Sequence, residues 1–172
     1  MSAVNVNHKA EEMCSIARTL EIVGDKWTFL ILREAALRKV TRFADFRDGL
    51  RIAPDVLSNR LNILVDAEVM EKQPYREPGT RTRYSYHLTP AGEQLLLVLA
   101  ALQQWGDENR PPTSGPSTLR RSADHGRPVR VAFVDDTDAV IPAGSVLFTP
   151  AAPAPVLNPR PRPRTWTFPR SG

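Results

Sequence analysis

Residues 53–69 read APDVLSNRLNILVDAEV. Apolar side chains fall at Val56, Leu57, Leu61, Leu64 and Val65, and Ser58, Asn59, Arg60 and Asn62 fill most of the positions between them. At the helical period, Leu57, Leu61 and Leu64 share one face, and Ser58, Asn59 and Asn62 turn largely away from it. Pro54 suits the first turn of a helix, because its missing N–H would have no partner there in any case. The spacing predicts a helix over 54–65 with a small, hydrogen-bonding outer face. A helix that only packs on a core could carry any soluble residue there, so the question is what this face meets.

The neighbouring sequence sets the context. Upstream, Thr41 is placed to cap a short helix that sends Phe43, Phe46 and Leu50 inward, and a tight connection, LRIA, leads on to Pro54. Before that, Asp25 is a good N-cap for KWTFLILREAAL, a run apolar on nearly all sides and therefore the most buried helix. An amphipathic stretch from Met13 to Val23, with Met13, Ile16, Ala17 and Leu20 at helical spacing, ends at Gly24. Downstream, MEKQPYREP and TRTRYSYHLT alternate in the β manner around Pro78-Gly79 and read as a hairpin. Thr89-Pro90 then opens a long helix with Leu95, Leu96, Leu99, Leu102 and Trp105 in a wide apolar stripe.

Two short helices joined by a tight turn and followed by a hairpin describe a winged helix-turn-helix. The expected fold class is mainly α with a β-wing (α+β), with residues 54–65 as the recognition helix and 75–86 as the wing. Ser58, Asn59 and Asn62 can approach base edges in a major groove, and Arg60 is better placed for phosphate. From Lys72 to His87 stand four cations, Lys72, Arg76, Arg81 and Arg83, against one acid, Glu77. Such a concentration suits the phosphate backbone or the minor groove. The plain alternatives are a solvated surface helix and an edge hairpin guarded by charge.

The series CSIARTLEIVGDKWTFLILREA, RFADFRDGLRIAPDVLSNRLNILVDAEVMEK, YREPGTRTRYSYHLTPAG and LLLVLAALQQWGD resembles the HxlR-type winged-helix regulators from about Cys14 to Asp107. The most specific marks are Cys14, Gly24-Asp25-Lys26-Trp27, Leu57-Ser58-x-Arg60-Leu61 and Leu88-Thr89-Pro90-x-Gly92. The resemblance implies a homodimeric transcriptional regulator bound to double-stranded DNA, with terminal helices paired across a two-fold axis and an inverted-repeat operator. Met13, Ile16, Leu20, Leu95, Leu99, Leu102 and Trp105 are the dimerisation candidates. A small-molecule or oxidant effector is compatible with the family. Two departures stand out. The wing tip EPGTRTR is about two residues longer than in relatives, so that Arg83 rather than Arg81 matches the usual wing arginine. Asp55 stands where many relatives carry a basic or amide residue. Cys14 matches a cysteine that senses oxidants or electrophiles in some members. The favoured reading is nevertheless a half-buried residue at a subunit interface, since free cysteine is commonly buried.

The totals bound the rest. The 172 residues carry 23 Lys and Arg against 19 Asp and Glu, a net charge of +4, which is only weak support for a polyanionic partner. One cysteine excludes an intrachain disulfide and a thiolate zinc site, and the three histidines lie far apart, so no metal or other cofactor is expected. No Ser-His-Asp set, phosphate-cradling loop or dinucleotide fingerprint is visible, and no enzyme is expected. No stretch approaches about 18 uninterrupted apolar residues, so no membrane partner is expected and the reading is cytoplasmic, nucleoid-associated on DNA. Only four of the 16 prolines precede Arg110. The organisation read from this is a flexible N-terminus (1–12), the winged-helix domain (13–110), a linker (111–127), a β-hairpin-like extension (128–150) and a disordered Pro/Arg-rich tail (151–172). The rival to a DNA-binding regulator is a winged-helix interaction module without specific DNA binding.

Overall fold

The computed structural model describes residues 14–79, 81–116 and 118–149. Met13, the N-terminal segment 1–12 and the tail 151–172 lie outside the described residues. The chain divides into two units, one ending at Gly106 and the other beginning at Asp107.

In the first unit, α1 (Ser15–Val23), α2 (Lys26–Arg38), α3 (Phe43–Leu50) and α4 (Pro54–Asp66) precede the antiparallel pair β1 (Met70–Tyr75) and β2 (Arg83–Leu88). Helices α5 (Pro90–Gln94) and α6 (Leu96–Asn109) follow, the last three residues of α6 belonging to the second unit. Asp25 caps α2 by accepting a hydrogen bond from the Trp27 N–H at 2.8 Å, and Pro54 occupies the first turn of α4. The core is built from one face of each helix and the root of the hairpin. Phe46, Leu57, Leu61 and Leu64 are wholly buried with Ile31 and Leu32, and Met70 closes the sheet end. Burial of each of these side chains contributes about 1.5–3 kcal/mol, so its three leucines hold α4 firmly against the core. Helix α2 is the most buried, as its composition predicts, and it includes a carboxylate. Glu34 is 2% exposed and accepts hydrogen bonds from Arg33 Nε at 3.0 Å and Arg38 Nη1 at 3.2 Å.

Two local expectations are corrected. The cap of α3 is Arg42 rather than Thr41, because the Thr41 carbonyl is drawn to the sheet, where it accepts the Tyr86 N–H at 2.8 Å. Arg42 itself bridges to Ser85, giving the wing a one-residue third strand. The long helix from Pro90 is broken at Leu95, whose N–H bonds back to the Gly92 carbonyl at 3.1 Å in a tighter 3₁₀-type turn.

The second unit carries a hairpin of β3 (Phe133–Val134) and β4 (Val140–Ile141), far shorter than the β-like runs in the sequence. Its turn is organised by Asp135, whose Oδ1 accepts from Thr137 Oγ1 at 2.7 Å, the Thr137 N–H at 2.9 Å and the Ala139 N–H at 3.1 Å. The Thr137 side chain and then these backbone donors hold that carboxyl below the usual carboxylate range. At the end of the stretch read as a linker, the Ser122 N–H donates to the Arg127 carbonyl at 2.9 Å and Arg121 bridges to Pro128, the first residue beyond it.

Candidate nucleic-acid interface

Helix α4 presents two faces of opposite character. Leu57, Leu61 and Leu64 are 0% exposed, whereas Ser58, Asn59 and Asn62 are all exposed. Asp55 is exposed too and precedes Ser58, Asn59 and Asn62 by three, four and seven residues, so the four form one stripe along the outer face. Sequence reasoning marked Asp55 only as a departure from relatives; its spacing was the signal that places it on this stripe.

Arg60 departs from the expectation. It is not extended outward with its neighbours. Its Nη2 donates to Asp25 Oδ2 at 3.0 Å, the two side chains are 29% and 34% exposed, and its Nε is buried without a hydrogen-bond partner. A half-exposed ion pair of this kind contributes about 0–1 kcal/mol to stability. The guanidinium is thus paired within the protein, a geometry that the phosphate expectation did not include. No sequence pattern signals the pairing, because the partners stand 35 residues apart.

The wing carries its charge near the tip. Gly79 has φ +76, a conformation that favours glycine, and this lets the chain reverse after Pro78. Arg76, Arg81 and Arg83 are exposed around it. Lys72 lies over the Tyr84 ring at 4.2 Å, which steadies a cation on an exposed aromatic face. Below them Tyr86 is buried, and that burial raises its hydroxyl above the ordinary tyrosine value. Arg42, unremarked in the sequence, ties the wing to α3. Its Nη1 donates to Glu77 Oε1 at 3.1 Å and its guanidinium lies 5.0 Å from the Tyr75 ring centre.

The dimerisation candidates separate into two sets. Leu95 and Leu99 are partly buried against the core. Leu102 and Trp105 are exposed, as are Leu97 and Val98, which sequence reasoning missed because it took the leucines as one stripe. On α1, Ile16 and Leu20 are exposed, and so is Cys14 in the protomer, at the cap position of the helix. No helix among the described residues is long and apolar enough to cross a membrane.

Comparison with known proteins agrees with this arrangement. The HxlR-like helix-turn-helix family pattern matches residues 22–114. An uncharacterised HTH-type transcriptional regulator of Mycobacterium tuberculosis is 40% identical over 116 residues, covering 67% of this chain and 71% of that protein. The crystal structure of PA1607, a candidate transcription factor, is similar with a TM-score of 0.69 and 30% identity, covering 80% of this chain and 94% of that one. The structure of PA1374, a candidate transcription factor from Pseudomonas aeruginosa, has a TM-score of 0.58 and 36% identity, covering 83% of this chain and 96% of that one. Both structural likenesses extend beyond the 22–114 domain. The chain belongs to the HxlR-like helix-turn-helix family of transcriptional regulators.

Proposed function

We propose that the protein is a cytoplasmic, homodimeric regulator that binds an inverted-repeat operator, and that it is not an enzyme. The single observation that carries this reading is the stripe Asp55, Ser58, Asn59 and Asn62, exposed on the second helix of the helix-turn-helix opposite three fully buried leucines. In the major groove the amides pair with adenine, Ser58 with more than one base, and Asp55 accepts from the cytosine amino group. Arg76, Arg81 and Arg83 of the wing meet the phosphate backbone or the minor groove. Two copies related by a two-fold axis set their recognition helices roughly 34–36 Å apart, or a multiple of that.

Binding to operator and to random DNA, each measured across a salt series, tests the assignment. Ser58→Ala, Asn59→Ala and Asn62→Ala should each cost about 1–3 kcal/mol on the operator and change random-DNA binding little. Arg81→Ala and Arg83→Ala should weaken both and lower the salt slope by about one for each lost phosphate contact. Uniform weakening by the helix variants would move them to phosphate, and an unchanged slope would take the wing off DNA.

Cys14 supports a second layer of the proposal, an oxidant-sensitive operator affinity. The thiol is exposed and lies at the N-terminal end of α1, open to an oxidant from solvent. With one cysteine per chain, oxidation leads to an intersubunit or mixed disulfide. Oxidant should lower operator affinity in the parent and have no effect on Cys14→Ser; equal loss in both would assign Cys14 a structural role.

A further inference from the structure

We propose that Asp25 and Arg60 are a positioning pair, which sets the rotation at which α4 presents its outer stripe to the major groove. The inference rests on the reading of that stripe as the base-contacting face.

The geometry makes Asp25 a joint between two helices. One carboxylate oxygen accepts the Trp27 N–H at 2.8 Å and so closes the first turn of α2. The other accepts Arg60 Nη2 at 3.0 Å from the middle of α4. The residue before it is also constrained: the Gly24 N–H donates to the Leu20 carbonyl at 2.8 Å, and a Cβ there would stand 2.4 Å from that oxygen. The corner from α1 to α2 is therefore tight, and Asp25 holds α4 to it.

The core does not supply this control. Leu57, Leu61 and Leu64 fix how deeply α4 sits, but apolar contact is non-directional and tolerates some turning about the helix axis. A charged hydrogen bond is directional. Turning a helix by about 20° moves a side-chain tip ~5 Å from the axis through roughly 2 Å. That is enough to break a hydrogen bond to a base edge. Arg60 follows Asn59 directly, so its anchorage governs the residues that read. Its guanidinium also stays pinned although Nε is buried without a partner.

The experiment uses the full-length protein, an operator duplex, a random duplex and a salt series. Arg60→Gln removes the cation. Asp25→Asn removes the anion but keeps a good acceptor for the α2 cap. Each should lower operator affinity roughly tenfold, leave random-DNA affinity and the salt slope as in the parent, and combine with no further loss in the double variant. Arg60→Lys, which keeps a charge facing Asp25, should recover much of the affinity. If Arg60→Gln weakens both duplexes and lowers the salt slope by about one while Asp25→Asn does not, Arg60 holds a phosphate and the proposal is wrong. Parent-like operator binding by both variants would also overturn it. Asn59→Ala is measured alongside. Its loss of affinity beside intact Arg60→Gln and Asp25→Asn sinks only the positioning pair, whereas no loss sinks the stripe reading and the pair with it.

Discussion

Leu102→Glu is expected to yield a folded monomer that no longer binds its operator. Leu102 is 52% exposed on α6, one turn before Trp105 at 60%, and α1 has its own exposed Ile16 at 67%. Val98, Leu102 and Trp105 stand at i, i+4 and i+7 and so share one exposed side of α6, an apolar stripe that a second copy would cover. In the proposed dimer, pairing about a two-fold axis covers this stripe and places each substitution in the interface twice. A carboxylate at an exposed site disturbs the isolated fold little, but two of them confined in an apolar interface cost several kcal/mol. An increase of about 4 kcal/mol weakens dimerisation roughly a thousandfold. Sedimentation and operator titration at micromolar protein check this. Leu99→Glu is the contrast, because Leu99 packs against the core and its substitution should unfold the domain. A dimeric Leu102→Glu variant, or a parent that sediments as a monomer and binds one half-site tightly, would refute the interface.

The second large effect is expected at Gly92. A Cβ there would stand 2.1 Å from the Val69 carbonyl oxygen and 3.1 Å from Leu88 Cδ2. That oxygen cannot easily retreat, since it accepts the Thr89 N–H at 3.1 Å while the Thr89 hydroxyl ties down the adjacent Glu68 carbonyl at 2.6 Å. Thr89 Oγ1 in turn accepts the Gly92 N–H at 3.1 Å, so the root of the wing and the start of α5 form one closed set of bonds. Gly92→Ala should destabilise the domain by about 2–3 kcal/mol, lowering Tm by roughly 10–20 °C. Gly49 offers the opposite case: it lies in α3 with nothing within 4 Å of a new Cβ, and Gly49→Ala should be neutral or slightly stabilising. A Gly92→Ala protein that melts within about 2 °C of the parent would show that the β1–α5 contact relaxes at little cost.

Most of the architecture was legible before any coordinates because local chemistry and hydrophobic period agreed. Asp25 capped the helix it was expected to cap, Pro54 opened α4, and Pro78-Gly79 turned the wing. Leu57, Leu61 and Leu64 share a helix face at fixed angles, so their burial and the exposure of Ser58, Asn59 and Asn62 followed from spacing alone. The motif Leu88-Thr89-Pro90-x-Gly92 was visible as a pattern, but its reason, a carbonyl 2.1 Å from the missing Cβ, was not.

The sequence by itself therefore determined the order of elements, the inward and outward faces of α4 and the charge of the wing, since each depends on residues a few positions apart. Only the tertiary structure decided which polar groups face one another across the fold. Arg60 reads in sequence as one more cation on a DNA-facing helix, yet Asp25, 35 residues away, holds it. Arg42 reads as an ordinary surface residue, yet Glu77 and Tyr75 receive it. Leu95 and Leu99 look equivalent to Leu102, but only the first two meet the core. The physical reason is common to all three: a helical period assigns a residue to a face, and the packing of other helices decides what that face meets.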